Sequence, residues 1–132
     1  MTPRQTETAL ARFTLAILLL YFLLKMWSPL SYGLSNPFYL ADIVGMALLL
    51  WGALRSLGAR PNQAPGVLST GIAWSTSTAW RDTAWRVESL RQGATIDGGA
   101  GTIWLFAAVT IIALVCLAIA LLLIVESRRS QP

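Results

Sequence analysis

The chain has 132 residues, 55% of them hydrophobic and 12% charged, with a formal net charge of +4. Soluble domains run at about 25% charged, so most of this chain belongs in lipid, with one membrane domain and no sizeable soluble domain beside it. Histidine is absent and cysteine occurs once, at Cys116. No imidazole ligand for haem, bacteriochlorophyll, copper or zinc is available, nor a His base, thiolate cluster or internal disulfide.

The first apolar run predicts a span over 10–27. At 1.5 Å per residue it is ~27 Å long, close to the ~30 Å hydrocarbon core. Arg12 and Lys25 can snorkel at its two ends. Glu7 interrupts the basic start, no Ala-x-Ala site follows, and Lys25 and Trp27 come next, so this segment is expected to be a retained span rather than a cleaved signal.

A turn-rich link, 28–36, leads to Asn36-Pro37, which reads as a helix start because Asn caps and Pro at the first helical position gives up no needed N–H. The second span is expected over 37–54, stopped by Arg55. Ala41, Gly45, Leu48 and Gly52 fall on one face, a small-residue stripe that lets a neighbouring helix approach closely. A polar link with Arg60, Pro61, Asn62 and Pro65 follows.

The third stretch, 66–90, is the ambiguous one. It carries Trp74, Trp80 and Trp85, the run Ser75-Thr76-Ser77-Thr78, and the charges Arg81, Asp82, Arg86 and Glu88. On a helix, Trp74, Thr78, Arg81, Trp85 and Glu88 fall within a sector of about 80°. Arg81 can lie along Trp85 as a cation–π contact, and Asp82 and Arg86 can pair at i, i+4. If the stretch spans, over 66–84, its apolar part is ~22 Å and its charges sit near the far interface. If it does not, it is an interfacial amphipathic helix over 66–90 anchored by three Trp.

Lys and Arg divide six to four across the membrane with four spans and seven to three with three spans, a slight lean toward three. Against that, 66–80 carries no charge, which an interfacial helix rich in Lys/Arg would not need. The favoured fold is therefore all-α, an integral membrane protein with four transmembrane helices and both termini cytoplasmic in a bacterial inner membrane. The alternative is three spans plus the interfacial helix.

Gly93, Gly98, Gly99 and Gly101 loosen the segment before the fourth span. No Gly-Lys-Ser/Thr follows, so a phosphate loop is not indicated. The fourth span, 102–125, is charge-free over 24 residues and ends at Glu126, Arg128 and Arg129. Val109, Ala113, Cys116 and Ala120 give it a narrow packing face.

With four spans, Lys25, Asp42, Arg81, Asp82 and Arg86 gather toward one membrane face. An acid inside a span calls for a partner, so Asp42 is expected to pair with Arg81 or Lys25. This polar cluster reads first as an interhelical tie. Gly45, Gly52, Trp74, Trp80 and Trp85 read as packing residues. No acid–base pair or activated nucleophile is evident, so an enzyme is not expected. The leading expectation is a non-catalytic accessory subunit packed against other transmembrane subunits and lipids, with no nucleic-acid partner. By analogy alone it resembles small subunits of respiratory or photosynthetic reaction-centre and antenna complexes. No cofactor would be bound through His or Cys, though contact with lipid, carotenoid or quinone fits the Trp and aliphatic surfaces. A small oligomeric transporter or channel is the alternative.

Overall fold

The computed structural model describes residues 2–26, 37–58, 65–96 and 99–129. They form four helices: α1 (Pro3–Met26), α2 (Pro37–Leu57), α3 (Pro65–Arg91) and α4 (Gly101–Arg129). Each helix starts or stops where local chemistry says it should. At the head of α1, Thr2 and Gln5 cap each other reciprocally: the Thr2 N–H donates to Gln5 Oε1 at 2.9 Å, and the Gln5 N–H donates to Thr2 Oγ1 at 3.3 Å. Prolines open α2 and α3 at positions that need no donor. Gly93, at φ +75°, ends α3: its N–H donates to the Leu90 carbonyl and the Ala94 N–H reaches back to Ser89. That pair of bonds needs a left-handed residue, which only Gly adopts freely.

The helices follow one another around a bundle. α2 and α4 flank α3, and α1 closes the ring against α2 and α4. The packed core lies toward one end, where Leu10 and Ala11 of α1 meet Ala53 of α2, Leu68 and Ile72 of α3, and Ala120 and Leu123 of α4. Three helical segments are long and apolar enough to cross a membrane: Pro3–Leu23, Leu40–Leu57 and Gly101–Arg129. These match the expected spans over 10–27, 37–54 and 102–125, each helix running a few residues further. α3 does not meet that standard, yet it is a continuous helix of 27 residues, ~40 Å long, lying between α2 and α4.

Its place is explained by two features. The first is glycine at the α2–α3 contact. A Cβ added to Gly52 would stand 2.6 Å from Leu68 Cα and 2.7 Å from its N, and one added to Gly71 would stand 2.8 Å from Leu49 N. The two backbones therefore touch, a closeness that only residues without a side chain permit. The second is that the buried hydroxyls of α3 satisfy themselves. Ser69 donates to the Gly66 carbonyl, Thr76 to Ile72 and Thr83 to Ala79, each at 2.8 Å. A hydroxyl so bonded to its own helix costs little to bury, and Ser69, Thr76 and Thr83 are all buried.

The buried face of α3 is not the one that its Trp and charges suggest. The buried stripe is Ser69, Ile72, Thr76 and Thr83, on nearly the opposite side of the helix from the sector of Trp74, Thr78, Arg81, Trp85 and Glu88. Trp74 is 41% exposed, and Trp80 and Trp85 are each 64% exposed.

Candidate functional site

Below the open half of the bundle, away from the Leu10–Leu123 core, the helices part to leave a cleft of about 140 Å³ that all four line. α1 contributes its stretch from Phe13 to Tyr21, α2 from Asp42 to Leu49, α3 from Ile72 to Asp82, and α4 from Phe106 to Cys116. On every helix these positions lie on the same side of the core residues. The core therefore floors the cleft, and Tyr21, Asp42, Thr78 and Asp82 stand toward its far end. At 1.5 Å per residue the walls extend ~12–15 Å along the bundle.

The walls are almost wholly apolar, with Phe13, Ile17, Met46, Leu49, Phe106 and Ile112 among them. Val109, Ala113 and Cys116 of the narrow α4 face look into this space, and Ala120 lies in the core beneath. Two carboxylates reach the cleft, Asp42 and Asp82. Asp42 is buried, at 6% exposure, and is not without a partner.

Arg81 Nη2 donates to Oδ1 of its neighbour Asp82 at 3.2 Å in a half-exposed pair. Arg86 reaches across to α4. Its Nη1 donates to Thr102 Oγ1 at 3.3 Å, and its guanidinium lies 4.3 Å from the centre of the Phe106 ring. A cation–π contact is made by Arg86 on Phe106, where α4 brings a ring under that side chain, and Trp85 is largely exposed. Of the expected cluster, Asp42 and Asp82 converge on one cleft, Arg81 stands beside it through Asp82, and Arg86 belongs to the α3–α4 contact. Lys25 is on α1, and its side chain lies outside the described residues, as do Trp27 and the links 28–36 and 59–64.

Gly45 and Gly52 both lie at the α2–α3 contact. Trp74 lays its ring across Gly45, where an added Cβ would stand 2.8 Å from Cδ1, and donates its Nε1 hydrogen to the Ala41 carbonyl at 2.9 Å. The ring is thereby fastened over α2 at the edge of the cleft. Trp74→Phe keeps an aromatic ring but loses the five-membered ring over Gly45 and the bond to Ala41. It is expected to lower stability by about 0.5–1.5 kcal/mol, read from the thermal midpoint in detergent, with Trp74→Ala costing more. Trp80 and Trp85 face out of the bundle.

Comparison with protein-family models, with curated proteins and with solved structures gives no match.

The cleft escaped notice in the sequence because it is assembled from four helices. Phe13, Tyr21 and Phe106 sit in runs whose periodicity marks only a membrane span. The signal that could have pointed to it is the lone acid in span two, Asp42, at the level reached by Thr78 and Asp82 when α3 runs antiparallel to α2. Among the described residues no group of three or more His, Cys, Asp or Glu is placed to hold a metal ion.

Proposed function

We propose that the chain crosses a bacterial inner membrane four times, with both termini cytoplasmic, and serves as a non-catalytic accessory subunit that packs against other transmembrane helices of a larger assembly. The observation that carries this reading is the outer face of α3. Thr70, Ala73, Ser77, Trp80, Ala84, Val87 and Arg91 recur at alternating steps of three and four residues, and all are exposed. The small and hydroxyl members of that row, Thr70, Ala73, Ser77 and Ala84, suit a close helix–helix contact. The outer faces of the other helices differ: Leu19, Leu20 and Leu23 on α1, and Ile111, Leu114 and Leu122 on α4, are the surface lipid covers.

The level of Trp80 supports the same reading. Thr83 of α3 meets Thr110 of α4, hydroxyl to hydroxyl at 3.4 Å. Trp80, and with it Arg81 and Asp82, therefore lies level with the middle of the charge-free run 102–125 rather than near the far interface expected for those charges. Trp in membrane proteins favours the headgroup level, where its indole N–H finds water. At mid-span that N–H needs a protein acceptor.

The test is a photocrosslinking amino acid placed at Ser77 in native membranes, with Leu121 of α4 as the lipid-facing control. A discrete heteromeric adduct from Ser77 and none from Leu121 is expected. A chain that yields no Ser77 adduct, or only adducts with itself, contradicts the accessory reading.

A further inference from the structure

We propose that the four-helix cleft holds one acyl chain of a membrane phospholipid, inserted sideways from the bilayer between α1 and α4. The packing role above concerns the outside of α3, so this inference stands independently of it. What carries it is where the cleft opens and what lies at its mouth. On α2 and α3 every described residue that lines the cleft is buried or half-buried. On the other two helices four lining residues are exposed, at 39–45%: Phe13 and Ile17 of α1, and Val109 and Ile112 of α4. α1 leans chiefly on α2 and meets α4 only lightly. The two come together in the core, at Leu10, Ala11, Ala120 and Leu123, and part over the cleft. The mouth is therefore a lateral slot between α1 and α4.

Its depth decides what can enter. Val109 and Ile112 lie ~10 and ~15 Å into the charge-free run 102–125. The slot thus opens at the level of lipid tails rather than of headgroups. Inside, the walls suit a hydrocarbon chain. The hydroxyls of Thr14 and Thr78 donate to the Leu10 and Ser75 carbonyls of their own helices, at 2.8 and 2.9 Å. Asp82 is held by Arg81 at 3.2 Å and Asp42 is not without a partner, so the lining reserves no charge for a ligand. Space with apolar walls gives no hold to water, and its lining gains dispersion contacts only from an apolar occupant. About 140 Å³ drawn out along ~12–15 Å of wall is narrow, and fits one flexible chain rather than a fused ring system.

The experiment uses the full chain in phosphatidylcholine vesicles doped with a phosphatidylcholine that carries a diazirine midway along one acyl chain. Photolysis and peptide mass spectrometry map the adducts. They are expected on the inner wall, at Met46, Leu49 or Ser75, as well as at Leu121 and Leu122, which face lipid. Ala113→Phe fills the cleft from α4, and Ile112→Trp narrows the slot from an exposed position. Each is expected to lose the inner-wall adducts and keep those at Leu121 and Leu122. Adducts at Leu121 and Leu122 alone in the unaltered chain overturn the proposal, as do inner-wall adducts undiminished in either folded variant. Should Ala113→Phe fail to fold, Ile112→Trp still decides the matter, since Ile112 is already exposed.

Discussion

Gly52→Leu is expected to abolish the folded bundle, and Gly52→Ala to destabilise it by about 1–3 kcal/mol, the usual cost of overpacking. At Gly52 the nearest atoms to a new Cβ are Leu68 Cα at 2.6 Å and N at 2.7 Å. Both are backbone and cannot swing aside, so α3 must shift bodily. A shift there is transmitted to Gly71, which meets Leu48 and Leu49 about one turn along. Gly71→Ala should therefore resemble Gly52→Ala. Gly66→Ala and Gly101→Ala are the matched controls, because an added Cβ at either meets nothing within 4 Å. The thermal midpoint of the detergent-solubilised chain measures all four. If Gly52→Ala behaves like Gly66→Ala, the close α2–α3 contact is not as described.

Replacement of Arg86 carries the second large effect, because that side chain fastens the far half of α3 to α4. Arg86→Met gives up the ring contact with Phe106, worth ~0.5–2 kcal/mol, and a charge-assisted bond to Thr102, worth ~1.5–3 kcal/mol. Met retains part of the apolar stem packing, so a net loss of about 2 kcal/mol is expected. Arg86→Lys keeps the charge but not the planar stack over the ring, and should fall between Met and wild type. Phe106→Leu should remove most of the difference between Arg and Lys at position 86. A double-mutant cycle over positions 86 and 106 measures that coupling, and additive effects would contradict the stacked geometry.

Much of this architecture is legible in the chain because lipid imposes simple rules. Long apolar runs mark α1, α2 and α4, that of α4 free of charge over 24 residues, and Pro37 marks a helix start where one occurs. The stripe of Ala41, Gly45, Leu48 and Gly52 also points to the face of α2 on which α3 lies. What is not legible is the rotation of α3. Its Trp and charges draw the eye to one sector, yet the face that packs is the blander one of Ser69, Ile72, Thr76 and Thr83. Hydroxyls that bond to their own helix act as small, nearly apolar side chains, and composition does not reveal that they will do so.

Partner choice is equally hidden. The approach of α4 supplies Arg86 with Phe106 and Thr102, partners that its spacing along α3 does not announce. The convergence of Asp42 and Asp82 on one space likewise depends on the register between α2 and α3, which the glycine contacts set.

The four-span topology and the partner-facing seam both require α3 to cross the membrane between α2 and α4. The direct measurement is substituted-cysteine labelling in a Cys116→Ser background. Single cysteines at Thr2, Gly93 and Arg129 would be challenged with a membrane-impermeant maleimide in sealed spheroplasts and after lysis. A spanning α3 predicts that Gly93 labels in intact spheroplasts while Thr2 and Arg129 label only after lysis. Thr2 and Gly93 protected together, with Arg129 open to the outside, would contradict it and place α3 on the membrane surface.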